Sequence, residues 1–369
     1  MNRLFRWGQM GLFLLALAAG ILPFAVPEVC AAALREGLTL CSGPLLLSLF
    51  PFLVVSRLLV QCPESDLLAL PFRLAAWGIG IRTPCAARVL CIGFLGGFAP
   101  AASAATQAVR TGQLTAEEAD ALLPACICSG PSFVVLTVGQ SLLGSAELGV
   151  LLFASQITAN YLTAALLNRF AGVRSVKPGS AAQASPAPPR LDEILADAAI
   201  TYCKLCGFIL FFRMLAAGAG ALLPAGAGTL CAILLEVCSG CDLASRTGRW
   251  GSLLCCAALS VQGLSVLLQV RTICPPEMTL RPLYRARMLH LPLSLALFYL
   301  LLPGGEADVF STLPARVLLM RRVPPDCALL VFAVCCMAAC TLRSGIRQVE
   351  QKQMARNAGG CCINSKTLL

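Results

Sequence analysis

Charge is what this sequence has least of. Asp, Glu, Lys and Arg together make up 12% of its residues, against roughly 25% in an average soluble domain. A chain of 369 residues could bury a large core, but surface shrinks slowly relative to volume and would still need polar residues to face water. The shortage excludes an ordinary soluble globular protein. Histidine is scarcer still, His290 being the one example, and a single imidazole cannot supply a His-based zinc set or a battery of His-dependent triads. A GxSxG elbow, a P-loop and a Rossmann glycine pattern are also missing. No enzyme class or cofactor gains a motif from this chain.

What is abundant is apolar surface. Hydrophobic residues reach 58% and the mean hydropathy is +0.80, so the bilayer is the environment that fits. Gly8 to Val26 carries no charge and matches the roughly 20 residues a membrane-crossing helix needs. With Arg3, Arg6 and the small residues Ala31 to Ala33 around it, the stretch also imitates a secretory signal. The many later spans favour a retained first helix. Apolar runs bounded by charge and proline place spans near 8–26, 44–60, 86–108, 121–143, 147–168, 192–218, 228–246, 250–270, 287–303 and 326–343. The expected fold is therefore an all-α polytopic membrane protein of about ten transmembrane or re-entrant helices. The shorter run 67–81, which contains Arg73, reads as re-entrant.

The formal charge of +10 sits in short groups beside the spans rather than on one basic face, which reads as topology and not as nucleic-acid binding. It assigns the N-terminus, the Arg271 to Arg287 loop and the Arg343 to Lys366 tail to the cytoplasm; Arg316, Arg321 and Arg322 fit this poorly. Most of the 21 cysteines lie within apolar runs and act there as small apolar residues. Two CxxC pairs, Cys203 with Cys206 and Cys238 with Cys241, have no histidine beside them, so a chance helical spacing outweighs metal or redox chemistry. His290, after Arg285 and Arg287 at the start of an apolar helix, is expected at the membrane interface.

Residues 171–190, with Lys177-Pro178-Gly179-Ser180 and Ser185-Pro186-Ala187-Pro188-Pro189, form a linker too poor in apolar surface to fold. It divides the chain into a first repeat, 44–170, and a second, 191–303. Residues 1–43 form an N-terminal helix with an amphipathic connection, 304–343 a final helix with its preceding loop, and 344–369 a basic tail. The halves carry matching features in order. FLVVSRLL, with Arg57, answers FILFFRML, with Arg213. Gly96-Gly97-Phe98-Ala99-Pro100 answers Cys238-Ser239-Gly240-Cys241, and Ser129-Gly130-Pro131-Ser132 answers Gln262-Gly263-Leu264-Ser265.

Glycine or proline within a span frees backbone groups that lipid cannot bond, so such breaks persist where protein, water or a ligand completes them. Paired breaks in two repeats point to a transport site near the midplane. The candidate solute-binding residues are Gly97, Ser129, Gly130, Pro131, Ser132, Glu236, Ser239, Gly240, Gln262, Gly263 and Ser265. Glu236 is a carboxylate inside an apolar run, which requires a partner or water; Arg57 and Arg213, the structural or gating charges, are its expected partners.

The segments Pro51 to Ser56, Gly93 to Ala102, Gly112 to Ala119 and Ser129 to Phe133, followed by Leu235 to Gly240, Gly263 to Val270 and Ala286 to His290, resemble the sporulation integral membrane protein YlbJ family. The resemblance runs from about Pro44 to Pro303 and rests on the order of several blocks. That family carries a nucleoside-recognition, or Gate-type, domain. The resemblance implies an endospore-forming bacterium, a role in spore development and a fold similar to nucleoside-type transporters. The family's glycine, aromatic, proline element is loosened here to Gly97-Phe98-Ala99-Pro100, and Cys128 stands where a polar amide is usual, so the substrate does not carry over. The resulting expectation is a multi-pass cell-membrane permease for a small polar solute. The alternative is a non-transporting membrane scaffold for spore-envelope assembly. Three geometric expectations accompany it: the Gly97 and Gly240 breaks occupy equivalent places, Glu236 points inward, and the SGPS and VQGLS breaks face one polar cavity.

Overall fold

The computed structural model of the chain describes residues 2–62, 65–171 and 191–302. Nearly all of the linker, the 304–343 helix and the basic tail lie outside them.

Among the described residues every regular element is helical. The chain runs α1 (Asn2–Ala25), α2 (Pro27–Ser42), α3 (Pro44–Gln61), α4 (Ser65–Leu68), α5 (Leu70–Gly78), α6 (Pro84–Gly96), α7 (Phe98–Arg110) and α8 (Ala116–Cys126). A π-helix (Ser132–Leu142) leads into α9 (Ala146–Ala171). The second half holds α10 (Leu191–Leu222), α11 (Ala225–Leu235), α12 (Val237–Ser245), α13 (Gly251–Val261), α14 (Gly263–Ile273) and α15 (Arg281–Leu301). Local chemistry marks several starts. Proline opens α2, α3 and α6, where its missing N–H breaks no intrahelical bond. Thr115 and Glu118 cap α8 reciprocally, which explains the Leu-Thr-Ala-Glu-Glu stretch of the sequence.

Ala146–Ala171, Leu191–Leu222 and Gly248–Ile273 are each long and apolar enough to cross a membrane, the last being interrupted at Gln262. Phe13–Ala25 and Pro27–Ser42 pass the same test together but meet at 110°. The expected first span thus continues into a sharply bent second helix. Shorter apolar helices occur at Leu49–Gln61, Pro84–Gly96, Ser132–Leu142 and Ala225–Leu235. This is the make-up of a helical, membrane-embedded protein.

The expected spans 86–108, 121–143 and 228–246 are each split in two, at Gly97, at 127–131 and at Glu236. Apart from α4 and α5, which only the first half holds, each half has a helix, two broken pairs and a helix. The contacts between halves follow the same order: α3 packs on α10 and α9 on α15, α7 meets α14 while α12 meets the π-helix, and α8 meets α15 while α13 meets α9. Exchanging the halves turns α3 with α10 and α9 with α15 into themselves and pairs off the other four contacts.

Both candidate gating charges are tied down as structural ion pairs. Arg57 Nη1 lies 2.6 Å from Asp197 on α10 and its Nε donates to Ser103 on α7. Arg213 bonds Glu36 on α2 at 2.8 Å. Neither pairs with Glu236, contrary to expectation. Asp120 on α8 accepts the N–H groups of Thr279 and Leu280 at 2.8 and 3.1 Å, fixing the entry to α15, where Leu280 is left-handed at φ 56°.

Gly97 stands at φ +81°, and a methyl group there would come 2.7 Å from the Gly130 amide. Gly112 has φ +68° with nothing around it. Gly112→Ala should therefore lose only a conformational penalty of about 1 kcal/mol, whereas Gly97→Ala adds a backbone collision and should lose about 3 kcal/mol or more. Thermal unfolding of the two purified variants tests this; equal losses would contradict the close seating of the two breaks.

Candidate functional site

In each half the two breaks are seated on each other, through the glycine of the first break in one half and of the second break in the other. Gly97 lies against the backbone of Gly130, and a methyl on Gly263, at φ +71°, would come 2.8 Å from the amide of Glu236. The first break of each half thus packs on the second through a glycine in the left-handed region, where a side chain would be both strained and blocked.

Pro131 occupies the N-cap position of the π-helix at φ −59°. Its missing N–H costs nothing there, so the expected loss of a mid-span bond does not arise. The π-helix that follows from Ser132 is a long departure from α geometry, a form concentrated at functional sites.

Glu236 does point inward, at 2% exposure. Its partners are backbone amides: Oε1 accepts from Cys238 N at 2.9 Å and Oε2 from Ser239 N at 2.7 Å. The carboxylate caps α12 at its positive dipole end. The helix break in this stretch thus falls at Glu236, four positions before Gly240. Gly240 lies within α12, where a methyl would come 2.8 Å from the Ile233 Cα, so it serves close helix packing. Ser239 enters through its N–H. The sequence comparison aligned the glycines; the fold aligns the helix ends.

Between the halves lies a polar junction that the sequence reading passed over. The carbonyl of Ile127, at the C-terminal end of α8, accepts from Arg287 Nη2 at 2.7 Å, Asn160 Nδ2 at 3.3 Å and Gln262 Nε2 at 3.4 Å. Arg287 Nη1 also reaches the Ser260 carbonyl near the end of α13 at 3.3 Å, and Nη2 the Asn160 Oδ1 at 3.1 Å. Arg287 is 7% exposed and lies within α15, not in a cytoplasmic loop. His290, one turn on, is 1% exposed and meets the Gln156 carbonyl at 3.2 Å. Gln156 in turn donates to Ser260, which bonds Ser294. Spacing carried a signal for this seam: Gln156 and Asn160 fall four apart, and Arg287 and His290 three apart, each pair on one face of an apolar helix.

The SGPS and VQGLS breaks do not share one cavity as expected: Gln262 reaches the carbonyl of Ile127, two residues before Ser129, and Gln262, Gly263 and Ser265 stand outside the cavity wall that Ser129, Gly130 and Ser132 line. Gly130 and Gly263 each face the other break of their own half. Beside this junction lies a cavity of about 80 Å³ whose wall includes Gly96, Ser129, Gly130 and Ser132 from the first half and Glu236, Val237, Cys238 and Gln269 from the second. Its remaining lining is mostly apolar, with Phe52, Phe98 and Phe133 prominent. Ser265 is fully buried and accepts from Gln269 Nε2 at 3.0 Å, so it acts by holding a lining residue. Sequence reasoning missed Gln269, which lies four residues after Ser265. No protein-family model, curated protein or solved structure matches the chain.

Removing the shared guanidinium should loosen the junction. Arg287→Met deprives the Ser260 carbonyl of its donor and leaves Ile127 with its two long bonds, a loss of about 2 kcal/mol. Arg287→Lys should recover less than half of that, because an ammonium cannot span both carbonyls as a planar fork does. Denaturant unfolding in detergent measures both; an Arg287→Met protein as stable as the parent would contradict the role assigned to this residue.

Proposed function

We propose that the chain is a permease for a small polar solute, built from two copies of one broken-helix unit and working in the membrane of a sporulating cell. The observation that carries the reading is the cavity wall, which draws on both breaks of the first half and on the Glu236 break of the second, together with Gln269 of α14. Duplication is supported by the shared order of a helix, two broken pairs and a helix, and by inter-half contacts that exchange into one another. Broken helices in paired units are suited to alternating access, because half-helix ends offer a solute backbone groups that lipid cannot compete for. The sporulation setting and the likeness to nucleoside-type transporters rest on the YlbJ resemblance alone.

The second reading, a membrane scaffold of the spore envelope, is favoured by one observation. Arg287 ties the first-half break at Ile127 to the second-half carbonyl of Ser260, which suits a rigid assembly as well as it suits a transporter at rest.

Uptake into liposomes containing the purified chain separates them. With a panel of nucleosides, amino acids, amines and dipicolinate, the permease reading expects saturable uptake of one class. Ser132→Ala should cut that uptake about fivefold or more through loss of one hydrogen bond, leaving the melting temperature unchanged. Absence of uptake across the panel would contradict the reading and favour the scaffold.

A further inference from the structure

The polar side chains of the cavity are unbalanced in favour of acceptors. Glu236 has no ion-pair partner among the described residues. The arginines that pair with carboxylates elsewhere are taken: Arg57 by Asp197, Arg88 by Asp66, Arg213 by Glu36 and Arg246 by Asp242. The N-terminal amides of α12 use one position on each Glu236 oxygen and the Cys238 thiol a third, and a carboxylate with about four acceptor positions keeps one to offer. Gln269, 2% exposed and on the same wall, donates to Ser265, while its Oε1 has no hydrogen-bond partner among the described residues. Among the described residues no Lys, Arg or His lines the cavity. The Ser129 and Ser132 hydroxyls can turn either way.

The apolar lining points in the same direction. Phe52, Phe98 and Phe133 present aromatic rings, whose negative faces attract cations. A volume of about 80 Å³, at roughly 10–15 Å³ for each water-sized position, accommodates a solute of a single ring or a short branched chain.

We infer that this cavity binds a small organic cation, a primary amine on a compact apolar body, and refuses anions. The ammonium donates to Glu236 and to the Gln269 oxygen, and the apolar body lies among the three phenylalanines. The inference rests on the permease reading of the same cavity and names its solute class. It also gives Glu236 a use for the lone pair that the α12 amides and the Cys238 thiol leave open.

Three probes of one shape test it: benzylamine, benzyl alcohol and benzoate, titrated calorimetrically into the purified full-length chain in lipid nanodiscs at neutral pH. The expected result is benzylamine binding at least about tenfold tighter than benzyl alcohol, the value of one charge-assisted hydrogen bond, with no heat from benzoate. Glu236→Gln retains an oxygen to cap α12 and loses the charge. It should bring benzylamine down to the affinity of benzyl alcohol. Gln269→Leu, which removes the unpartnered oxygen at similar volume, should weaken benzylamine about fivefold and decides alone if Glu236→Gln fails to fold. Benzyl alcohol or benzoate binding as tightly as benzylamine overturns the cation class and leaves the permease reading standing. Benzylamine binding unchanged in the folded variants overturns it too, since the heat would then come from lipid. If none of the three probes binds, the cation site is overturned and the permease reading loses its cavity.

Discussion

A backbone group freed inside an apolar medium has to find a partner, and the rest of this structure follows from that constraint. Four helix breaks, at Gly97, 127–131, Glu236 and Gln262, release N–H and C=O groups where lipid offers nothing in return. Seating one break on another through Gly97 and Gly263 brings the freed backbones close, and side chains supply what backbone cannot. Two of the buried charges answer the two ends of the broken helices. Glu236 sits at an N-terminus, where the dipole is positive, and Arg287 sits against carbonyls at two C-terminal ends, where it is negative. Each charge is thus compensated by helix ends and not by the other.

This arrangement explains why charge pairing read from sequence named the wrong partners. An intramembrane carboxylate and two intramembrane arginines invite pairing on chemical grounds. Arg57 and Arg213 instead find Asp197 and Glu36, both on other helices and both placed only by the packing of α3, α10 and α2. A helix terminus does not show as a charged residue, so its capacity to hold Glu236 or Arg287 becomes visible only when the break is located. The π-helix after Pro131 is hidden for the same reason. The residues Ser132 to Leu142 read as an ordinary apolar run, and what widens them is tertiary.

Much else was legible. Helical class followed from the scarcity of charge and the lengths of the apolar runs, and the breaks were found wherever glycine or proline made them: Gly97 and Gly263 both take left-handed φ values that favour glycine. The break at Glu236 was misplaced by four residues because no glycine marks it, and the glycine that is present, Gly240, serves packing within α12. Amide residues at helical spacing, Gln156 with Asn160 and Gln269 four residues after the candidate Ser265, carried information that was read as apolar background. In a chain this poor in charge, such neutral polar pairs on one helix face are the signal of an inter-helix seam.

The account stands on the cavity between the breaks being a path open in turn to each side of the membrane. Ser132 lies on its wall at the start of the π-helix, so Ser132→Cys reports on access directly. In oriented vesicles a membrane-impermeant thiol reagent, applied from one side and then from the other, is compared with the parent chain. The account predicts added labelling from both sides, each suppressed by a transported solute. Added labelling from neither side, in a folded protein, would contradict it.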